Sequence, residues 1–224
     1  MRRYSLLAPL LIERMNASAF HIAIFCKAAV AGSVKTRLIP AYGAEGAKDI
    51  YVQLAKRTIA TVRTTCAAHT ASASLWVADD LLHETVQQWS QEFSFPTHQQ
   101  IGTDLGERML HCLQAMSENH QRILLIGTDC PAFTHEHLLR AANALTASCS
   151  WVFTPADDGG YVLVGSNAAR SEPFANIDWS TSEVMAQTRT ALAKANLSWA
   201  ETDALWDVDT ADDVLRAERN SFLL

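Results

Sequence analysis

Three aspartates in this sequence could together bind a hard cation. Asp129 follows the apolar segment Arg122 to Thr128, and Asp207 and Asp209 lie close together near the end of the chain. Four consecutive aliphatic residues predict a strand buried on both faces, so Asp129 is expected at its carboxyl end, where ligands bind in open α/β sheets. Oxygen-only ligation would suit Mg²⁺ or Mn²⁺ rather than Zn²⁺. Each aspartate alone is equally well explained as a turn residue or as charge at a helix N-terminus.

A basic segment after the first predicted strand could contact phosphate. It contains Lys27, Lys35 and Arg37, together with Gly32 and Thr36. Backbone N–H groups and cations in such a loop can bind a diphosphate or triphosphate. The segment is not a Walker A motif, because Gly32 is separated from the Lys-Thr pair by two residues and the first glycine of the motif is missing. A solvated basic loop explains the same composition.

Two further segments could contribute to a site. The first opens a helix and carries Arg108, which could reach a ligand or pair with a neighbouring acid. The second contains Asp158, Gly159 and Gly160 between two predicted strands, and its composition favours a tight hairpin turn over a contact with an acceptor. His135 and His137 point to different faces of a helix and therefore do not form a metal pair.

The composition excludes several classes of protein. The net charge is −6, and the 18 basic residues are scattered, so the nucleic-acid-binding footprint is missing. Five cysteines without a Cys-x-x-Cys pair predict reduced thiols in the cytoplasm. No apolar stretch reaches the roughly 18 residues of a membrane-spanning helix. The oligomeric state cannot be inferred from the sequence.

The N-terminal residues are predicted to be separate from the folded part. Residues 1–20 read as a disordered extension, with Met15 as an alternative start, and residues 21–224 as a single domain. A signal peptide is the weaker alternative, because the apolar run from Leu6 to Ile12 is short and is followed by Glu13 and Arg14.

Strands and helices alternate along the rest of the chain, with one hairpin insertion. This order predicts an α/β three-layer sandwich with a mostly parallel sheet. Thr210 is expected to cap the last helix with Asp213, and Ser180 to Glu183 read as a second capping box that starts a helix at Thr181. The predicted strands are 21–26, 73–78, 97–101, 122–128, 151–154, 161–165 and 197–201, and the predicted helices are 44–66, 81–90, 105–118, 135–147 and 181–196, with a final helix after Thr210.

Six motifs, in order, resemble one bacterial family across nearly the whole chain from His21 onward. The family is of the DUF2064 type, consists of proposed glycosyltransferases with the GT-A, nucleotide-diphospho-sugar transferase fold, and includes members labelled arsenosugar biosynthesis glycosyltransferases. The same architecture is similar to that of the phospholactate and phosphoenolpyruvate guanylyltransferases. The motifs are Ile24 to Lys27 with Val34 to Leu38, Asp104 to Met109, Gly127 to Pro131, Asp158 to Tyr161, Trp179 to Ser182 and Asp207 to Thr210.

The resemblance implies a Rossmann-like fold and a set of site residues. The phosphates of a nucleotide would contact Lys27, Gly32, Lys35, Thr36 and Arg37, and the metal would be Mg²⁺ or Mn²⁺ on Asp129, Asp207 and Asp209. An acceptor pocket and further substrate contacts are implied for Arg108, Asp158, Gly159, Gly160, Trp179, Ser180 and Thr181, with Asp158 as the candidate base. The chain departs from the family pattern at Ala29 and Ala31, where prolines are typical, and at Ser33, where an arginine is typical. These changes are expected to loosen the loop and weaken nucleotide binding.

Three functions follow from this reading. The first is metal-dependent transfer of a sugar from a nucleoside diphosphate sugar to a small-molecule acceptor. The second is nucleotidyl transfer, in which a phosphorylated small molecule attacks an NTP and pyrophosphate leaves. The third is non-catalytic nucleotide binding, favoured by the altered loop and opposed by the three retained aspartates.

Overall fold

The computed structural model describes residues 20–224, so the predicted N-terminal extension lies almost wholly outside the described residues. The strands are β1 (Phe20–Cys26), β2 (Ala71–Val77), β3 (Thr97–Gln99), β4 (Ile123–Ile126), β5 (Trp151–Pro155), β6 (Tyr161–Ser166) and β7 (Trp199–Glu201). The helices are α1 (Ile39–Ala68), α2 (Glu84–Phe93), α3 (Leu105–Ser117), α4 (His135–Ala144), α5 (Val184–Lys194) and α6 (Ala211–Arg219). Short 3₁₀ turns occur at Thr36–Leu38 and Glu172–Phe174. No helix among residues 20–224 has the length and apolar character needed to cross a membrane.

The seven strands form one mixed sheet in the order β3-β2-β1-β4-β6-β5-β7. Every pairing is parallel except those of β6, which runs antiparallel to both β4 and β5. The chain builds outward from β1 to β3 and then returns to place β4 on the other side of β1. The carboxyl ends of β1 and β4 therefore flank a topological switch point, where open α/β sheets bind ligands.

Helices cover both faces of the sheet, which confirms the predicted three-layer architecture. On one face, α1, α2 and α4 pack on alternate residues of β1, β2 and β4. On the other face, α3 and α5 pack on the remaining residues, including Trp76, Trp151 and Phe153. The last helix, α6, packs with the first part of α1 in a third cluster around Trp206 and Val208. Burial on both sides explains why β4, and every residue of β1 except His21, is apolar.

His21 is a buried polar residue of β1 on the same face of the sheet as Ala23 and Phe25, which α3 and α5 cover. Its two ring nitrogens lie 2.8 Å from Ser72 Oγ and 2.8 Å from Ser74 Oγ, and its ring stacks on His120. Burial, with smaller contributions from the nearby His120 and His98, lowers the pKa of His21 to about 3. The folded protein therefore holds this imidazole in its neutral form at neutral pH.

The two predicted capping boxes had different outcomes. At Thr210 the prediction is confirmed, because its hydroxyl accepts the Asp213 N–H while the Asp213 carboxylate accepts the Thr210 N–H. The predicted box at Ser180 is wrong, since α5 begins at Val184 and Glu183 occupies the N-cap position without a side-chain cap. The Thr181 hydroxyl instead donates to the Asp178 carbonyl at 2.7 Å. A local turn uses the side chain that the sequence pattern assigned to the helix.

Candidate functional site

A cleft of about 870 Å³ opens at the carboxyl edge of β1 and β4. Its lining comes from the loops after these two strands, from the start of α3, from the turn between β5 and β6, and from the segments before α5 and α6. The position coincides with the switch point of the sheet. The fold thus brings together segments that are up to about 180 residues apart in sequence.

The three predicted aspartates meet at this cleft. The Val208 N–H donates to the Asp129 carbonyl at 2.9 Å, which fixes the loop after β4 beside the segment before α6. The side chains of Asp129, Asp207 and Asp209 all line the cleft. The predicted convergence of two distant acidic segments is therefore present in the fold.

Lys35 lies between two of these carboxylates. Its Nζ is 3.0 Å from Asp129 Oδ2 and 3.1 Å from Asp209 Oδ1, and it also donates to the Val208 carbonyl. Only 5% of the Lys35 side chain is exposed. Burial acts to lower the pKa of Lys35, but the Asp129 and Asp209 carboxylates outweigh it and raise that pKa above its usual value. All three hydrogens of the ammonium group therefore have protein acceptors.

Asp207 experiences the opposite electrostatic environment. Burial, together with the neighbouring Asp158 and Asp209 carboxylates, raises its pKa to about 6, although Lys35 acts in the opposite direction. The carboxylates of Asp129, Asp207 and Asp209 are thus crowded around the single buried ammonium group of Lys35. Such crowding favours the uptake of positive charge at this end of the cleft.

The donor chemistry of this cluster fits Mg²⁺ or Mn²⁺, because the available groups are carboxylate oxygens. Within residues 20–224, however, no group of three or more His, Cys, Asp or Glu side chains is arranged to hold an ion. The Lys35 ammonium lies between Asp129 and Asp209 and contacts both carboxylates. Binding of a divalent cation by the three aspartates would require Lys35 to leave that position.

The first half of the basic loop is held by the protein itself. The Lys27 N–H donates to the Tyr51 hydroxyl at 2.7 Å, which in turn donates to the Lys27 carbonyl at 3.0 Å. The Ala28 N–H donates to Asp79 and the Ala29 N–H to the Thr85 hydroxyl at 3.1 Å. A proline, typical at position 29 in the family, could not make this last bond. The expected loosening of the loop is therefore offset at Ala29 by a hydrogen bond that the substitution permits.

The cations available to a ligand differ from those expected. Arg37 is 69% exposed and contacts Asp209 Oδ2 at 2.9 Å through one nitrogen, and the Lys27 side chain lines the cleft. Arg108 lines the cleft from the start of α3, where its Nε donates to the Gly102 carbonyl at 3.1 Å. In the described conformation Lys27, Arg37 and Arg108 are the better placed to meet an anion, whereas Lys35 is already occupied.

An aromatic segment forms the other end of the cleft. The Trp179 ring meets Tyr161 edge to face, with ring centroids 6.5 Å apart, and Tyr161 meets Phe153 in the same manner at 5.2 Å. Ser180 and Thr181 follow Trp179 in the lining, and Met109 lies nearby under the Tyr161 hydroxyl. The cleft therefore has a charged end, formed by the loops after β1 and β4 and the segment before α6, and an aromatic end at which α3 also places Arg108.

Most of the predicted residues line the cleft, and two glycines do not. The lining includes Lys27, Lys35, Thr36, Arg37, Arg108, Asp129, Asp158, Gly160, Trp179, Ser180, Thr181, Asp207 and Asp209. Gly32 lies in the basic loop away from the lining, and Gly159 packs against the backbone of Ser182 instead. The functional assignments of all these residues remain predictions.

Two lining residues were missed by the sequence reading. Tyr51 belongs to the apolar face of α1, where its spacing predicts only packing, yet its hydroxyl holds Lys27. Gln100 follows β3, and its side-chain amide donates to the Trp76 carbonyl at 2.8 Å. The available signals were a hydroxyl on the apolar face of α1 and an amide directly after β3.

Comparison with known proteins gives a family and a set of related folds. A profile of the family described as "Uncharacterized protein conserved in bacteria (DUF2064)" matches residues 61–181. A comparison with curated protein sequences finds no match. A solved structure from Desulfovibrio desulfuricans, provisionally assigned as a nucleotide-diphospho-sugar transferase, is 27% identical with a TM-score of 0.78, covering 90% of this chain and 88% of that one.

More distant solved structures share the fold. The 4-diphosphocytidyl-2C-methyl-D-erythritol synthase of Anaerococcus prevotii is 14% identical with a TM-score of 0.58, covering 93% of this chain and 98% of that one. The glucosyl-3-phosphoglycerate synthase of Mycobacterium tuberculosis, in complex with Mg²⁺ and UDP, is 7% identical with a TM-score of 0.55, covering 99% and 82%. The similar structures are thus transferases with a Rossmann-like fold, and both glycosyl and nucleotidyl transferases occur among them.

Proposed function

Because this chain belongs to the DUF2064 family of bacterial proteins, we propose that it is a transferase that transfers a sugar from a nucleoside diphosphate sugar to a small-molecule acceptor. The observation that carries the proposal is the cleft at the switch point, where cations and carboxylates converge beside an aromatic surface. The similarity of this chain to the Desulfovibrio desulfuricans protein, which extends over 90% of the chain, also supports the proposal.

The charged end of the cleft suits a diphosphate. Lys27 and Arg37 present positive charge there, and charge-assisted hydrogen bonds from such groups are the usual means of holding phosphate oxygens. Asp129, Asp207 and Asp209 would hold a divalent cation. When bound, that cation would neutralise the charge that develops on the diphosphate leaving group.

The acceptor would bind between the charged and aromatic ends. Asp158 lines the cleft there, and its Oδ1 accepts the Gly160 N–H at 2.9 Å, which orients the carboxylate. We assign Asp158 as the base that removes the proton from the acceptor hydroxyl, since it is a carboxylate in the cleft that makes no ion pair with Lys35. Trp179, Ser180 and Thr181 would shape the acceptor pocket.

The experiment that tests this function is a thermal-shift and product assay. Stabilisation is measured with UDP-, GDP-, ADP- and dTDP-glucose and with the matching NTPs, each with and without Mn²⁺, because ligands that bind the folded state raise its apparent stability. Nucleoside diphosphate release is then measured for each donor that binds. The variants are Asp129→Asn and Asp209→Asn, and the control is Asp203→Asn, whose exposed side chain pairs with Arg140 away from the cleft.

We expect stabilisation by at least one nucleotide sugar with Mn²⁺, and loss of that stabilisation in both site variants but not in the control. Stabilisation by NTPs alone, with pyrophosphate release when a phosphorylated acid is added, would replace glycosyl transfer with nucleotidyl transfer. Binding of nucleotides with no turnover of any donor would favour a non-catalytic nucleotide-binding protein.

A further inference from the structure

Gly106 has no side chain for a reason that lies outside its own helix. It is a buried residue in the first turn of α3, and glycine has a lower helix propensity than alanine. Its backbone does not adopt the positive φ that would require glycine. Helix stability and backbone conformation therefore both fail to explain this residue.

Trp179 supplies the explanation. A Cβ at position 106 would lie 2.6 Å from Trp179 Cζ2 and 3.0 Å from both Cε2 and Nε1 of the same indole. Real Cβ atoms do not approach so closely, so the indole rests where an alanine side chain would be. The missing side chain of Gly106 makes room for one particular position of the Trp179 ring.

The segment that carries Trp179 is held on two other sides. Asp178 exchanges two hydrogen bonds with the Gln187 side chain, at 2.7 and 2.8 Å. Gly159, at φ +90°, approaches the Ser182 carbonyl so closely that a Cβ there would lie 2.1 Å from the oxygen. The indole is therefore presented to the cleft by a fixed segment rather than by a mobile loop.

We infer that Gly106 is a positioning residue that holds the Trp179 indole as an acceptor-binding surface, and that the acceptor carries a ring with an apolar face, such as a sugar ring. This inference rests on the proposed function. The aromatic end of the cleft contains Tyr161 beside the indole, with Leu105, Arg108 and Met109 of α3, whereas Lys27 and Arg37 belong to the loop after β1. An aromatic surface of this kind stabilises a stacked ring through apolar contact area.

The test compares Gly106→Ala, Trp179→Phe and the double variant with wild type. Gly46→Ala is the control, because it makes the same change in α1, outside the cleft lining. Phenylalanine has a smaller, single ring without the Cζ2 and Nε1 atoms that the new Cβ would approach, so Trp179→Phe should relieve the clash. The measurements are thermal unfolding, acrylamide quenching of the Trp179 fluorescence obtained by difference from Trp179→Phe, and binding of 4-nitrophenyl β-D-glucoside and of UDP.

Gly106→Ala is expected to change the quenching of Trp179 and to weaken glucoside binding roughly three- to tenfold, with UDP binding unchanged, as the loss of one aromatic contact predicts. In the Trp179→Phe background the same substitution should have no further effect on glucoside binding. Gly46→Ala should change neither quenching nor binding. Independent, additive effects of the two substitutions would overturn the positioning role, as would unchanged quenching in Gly106→Ala.

Two outcomes separate this inference from the proposed function. Equal weakening of UDP and glucoside binding in Gly106→Ala would overturn the assignment of Trp179 to the acceptor. Changed quenching in Gly106→Ala and no further loss of glucoside binding when Gly106→Ala is added to Trp179→Phe, together with no turnover of any nucleotide sugar, would support the positioning role and refute the proposed function.

Discussion

Replacing Lys35 by methionine should tighten the binding of a divalent cation. The same replacement should lower the stability of the folded protein when no divalent cation is present. The buried ammonium lies between Asp129 and Asp209, so a cation that uses both carboxylates must first displace it. Methionine keeps most of the side-chain length and removes the charge. The same change deprives the two carboxylates of their shared counter-ion when no metal is present.

The size of the effect follows from the contacts that are lost. A hydrogen bond to a charged group contributes about 1.5–3 kcal/mol. The Asp129 and Asp209 side chains are 45% and 34% exposed, so solvent screening favours the lower value. Two such bonds sum to about 3 kcal/mol, which corresponds to roughly 100-fold in affinity, and about tenfold is the least we expect after relaxation.

The assay is Mn²⁺ binding followed by isothermal calorimetry and by electron paramagnetic resonance of the free ion. Arg37→Met is the matched control, because it also removes a cation next to Asp209 but from a side chain that is 69% exposed. Thermal unfolding in chelator and in excess Mn²⁺ completes the experiment. We expect Lys35→Met to be less stable than wild type in chelator and to gain more stability from Mn²⁺.

Two results would refute this reasoning. Equal tightening in Lys35→Met and Arg37→Met would mean that general electrostatics, rather than displacement of Lys35, controls the affinity. Mn²⁺ binding that is unchanged or weaker in Lys35→Met would mean that the ammonium and the cation do not share a position.

Three further predictions concern the scaffold. The free energy of unfolding should fall as the pH drops from about 6.5 towards 3, because His21 binds a proton in the unfolded state but stays neutral when it is buried in the folded state. The decrease at pH 5 is about 2 kcal/mol. Denaturant unfolding at pH 5 and 7 should show this dependence reduced in His21→Gln and retained in the exposed control His69→Gln. Gly159→Ala should lower the free energy of unfolding by at least about 2 kcal/mol, because the substitution adds strain at positive φ to a collision with Ser182. A lower unfolding temperature and faster proteolysis near Ser182 would show this loss, and wild-type values of both would contradict it. Thr210→Ala should cost about 1 kcal/mol through loss of the cap on α6, and an unchanged unfolding midpoint would exclude that contribution.

The sequence predicted the arrangement of the sheet because its signals are repeated along each element. β4 is apolar at every position, and β1 at every position except His21, as expected of central strands buried on both faces. Carboxyl ends of parallel strands share one edge, so the meeting of Asp129 with Asp207 and Asp209 could be expected before any side-chain position was known.

The side-chain contacts within the site could not be predicted in the same way. Lys35 has a left-handed backbone conformation (φ 46°), which is uncommon for a residue other than glycine. It lies directly before the 3₁₀ turn Thr36–Leu38, and from there its ammonium reaches Asp129. In the sequence, a cation in this loop suggested a phosphate ligand, whereas the fold pairs Lys35 with carboxylates. That choice depends on residues about 95 and 175 positions away in sequence.

The failed capping box at Ser180 has a related cause. Its four residues satisfy the local pattern, but Ser180 lies at φ 66° and the Thr181 hydroxyl closes a turn with Asp178. The close approach of Gly159 and Gly106 to this segment fixes it in place. Local preference was overridden by packing from two other parts of the chain.

The single reversed strand, β6, has a consequence for how specificity could diversify in such proteins. Because β5 and β6 form a hairpin, their connecting turn lies at the cleft without an intervening helix, and it carries Asp158. The basic loop that contains Lys27, Lys35 and Arg37 follows β1, in the other half of the sheet. For the function proposed above, insertions in the hairpin turn would alter the proposed acceptor side of the cleft and leave the proposed nucleotide side unchanged, so that one scaffold could serve many acceptors with one activated donor.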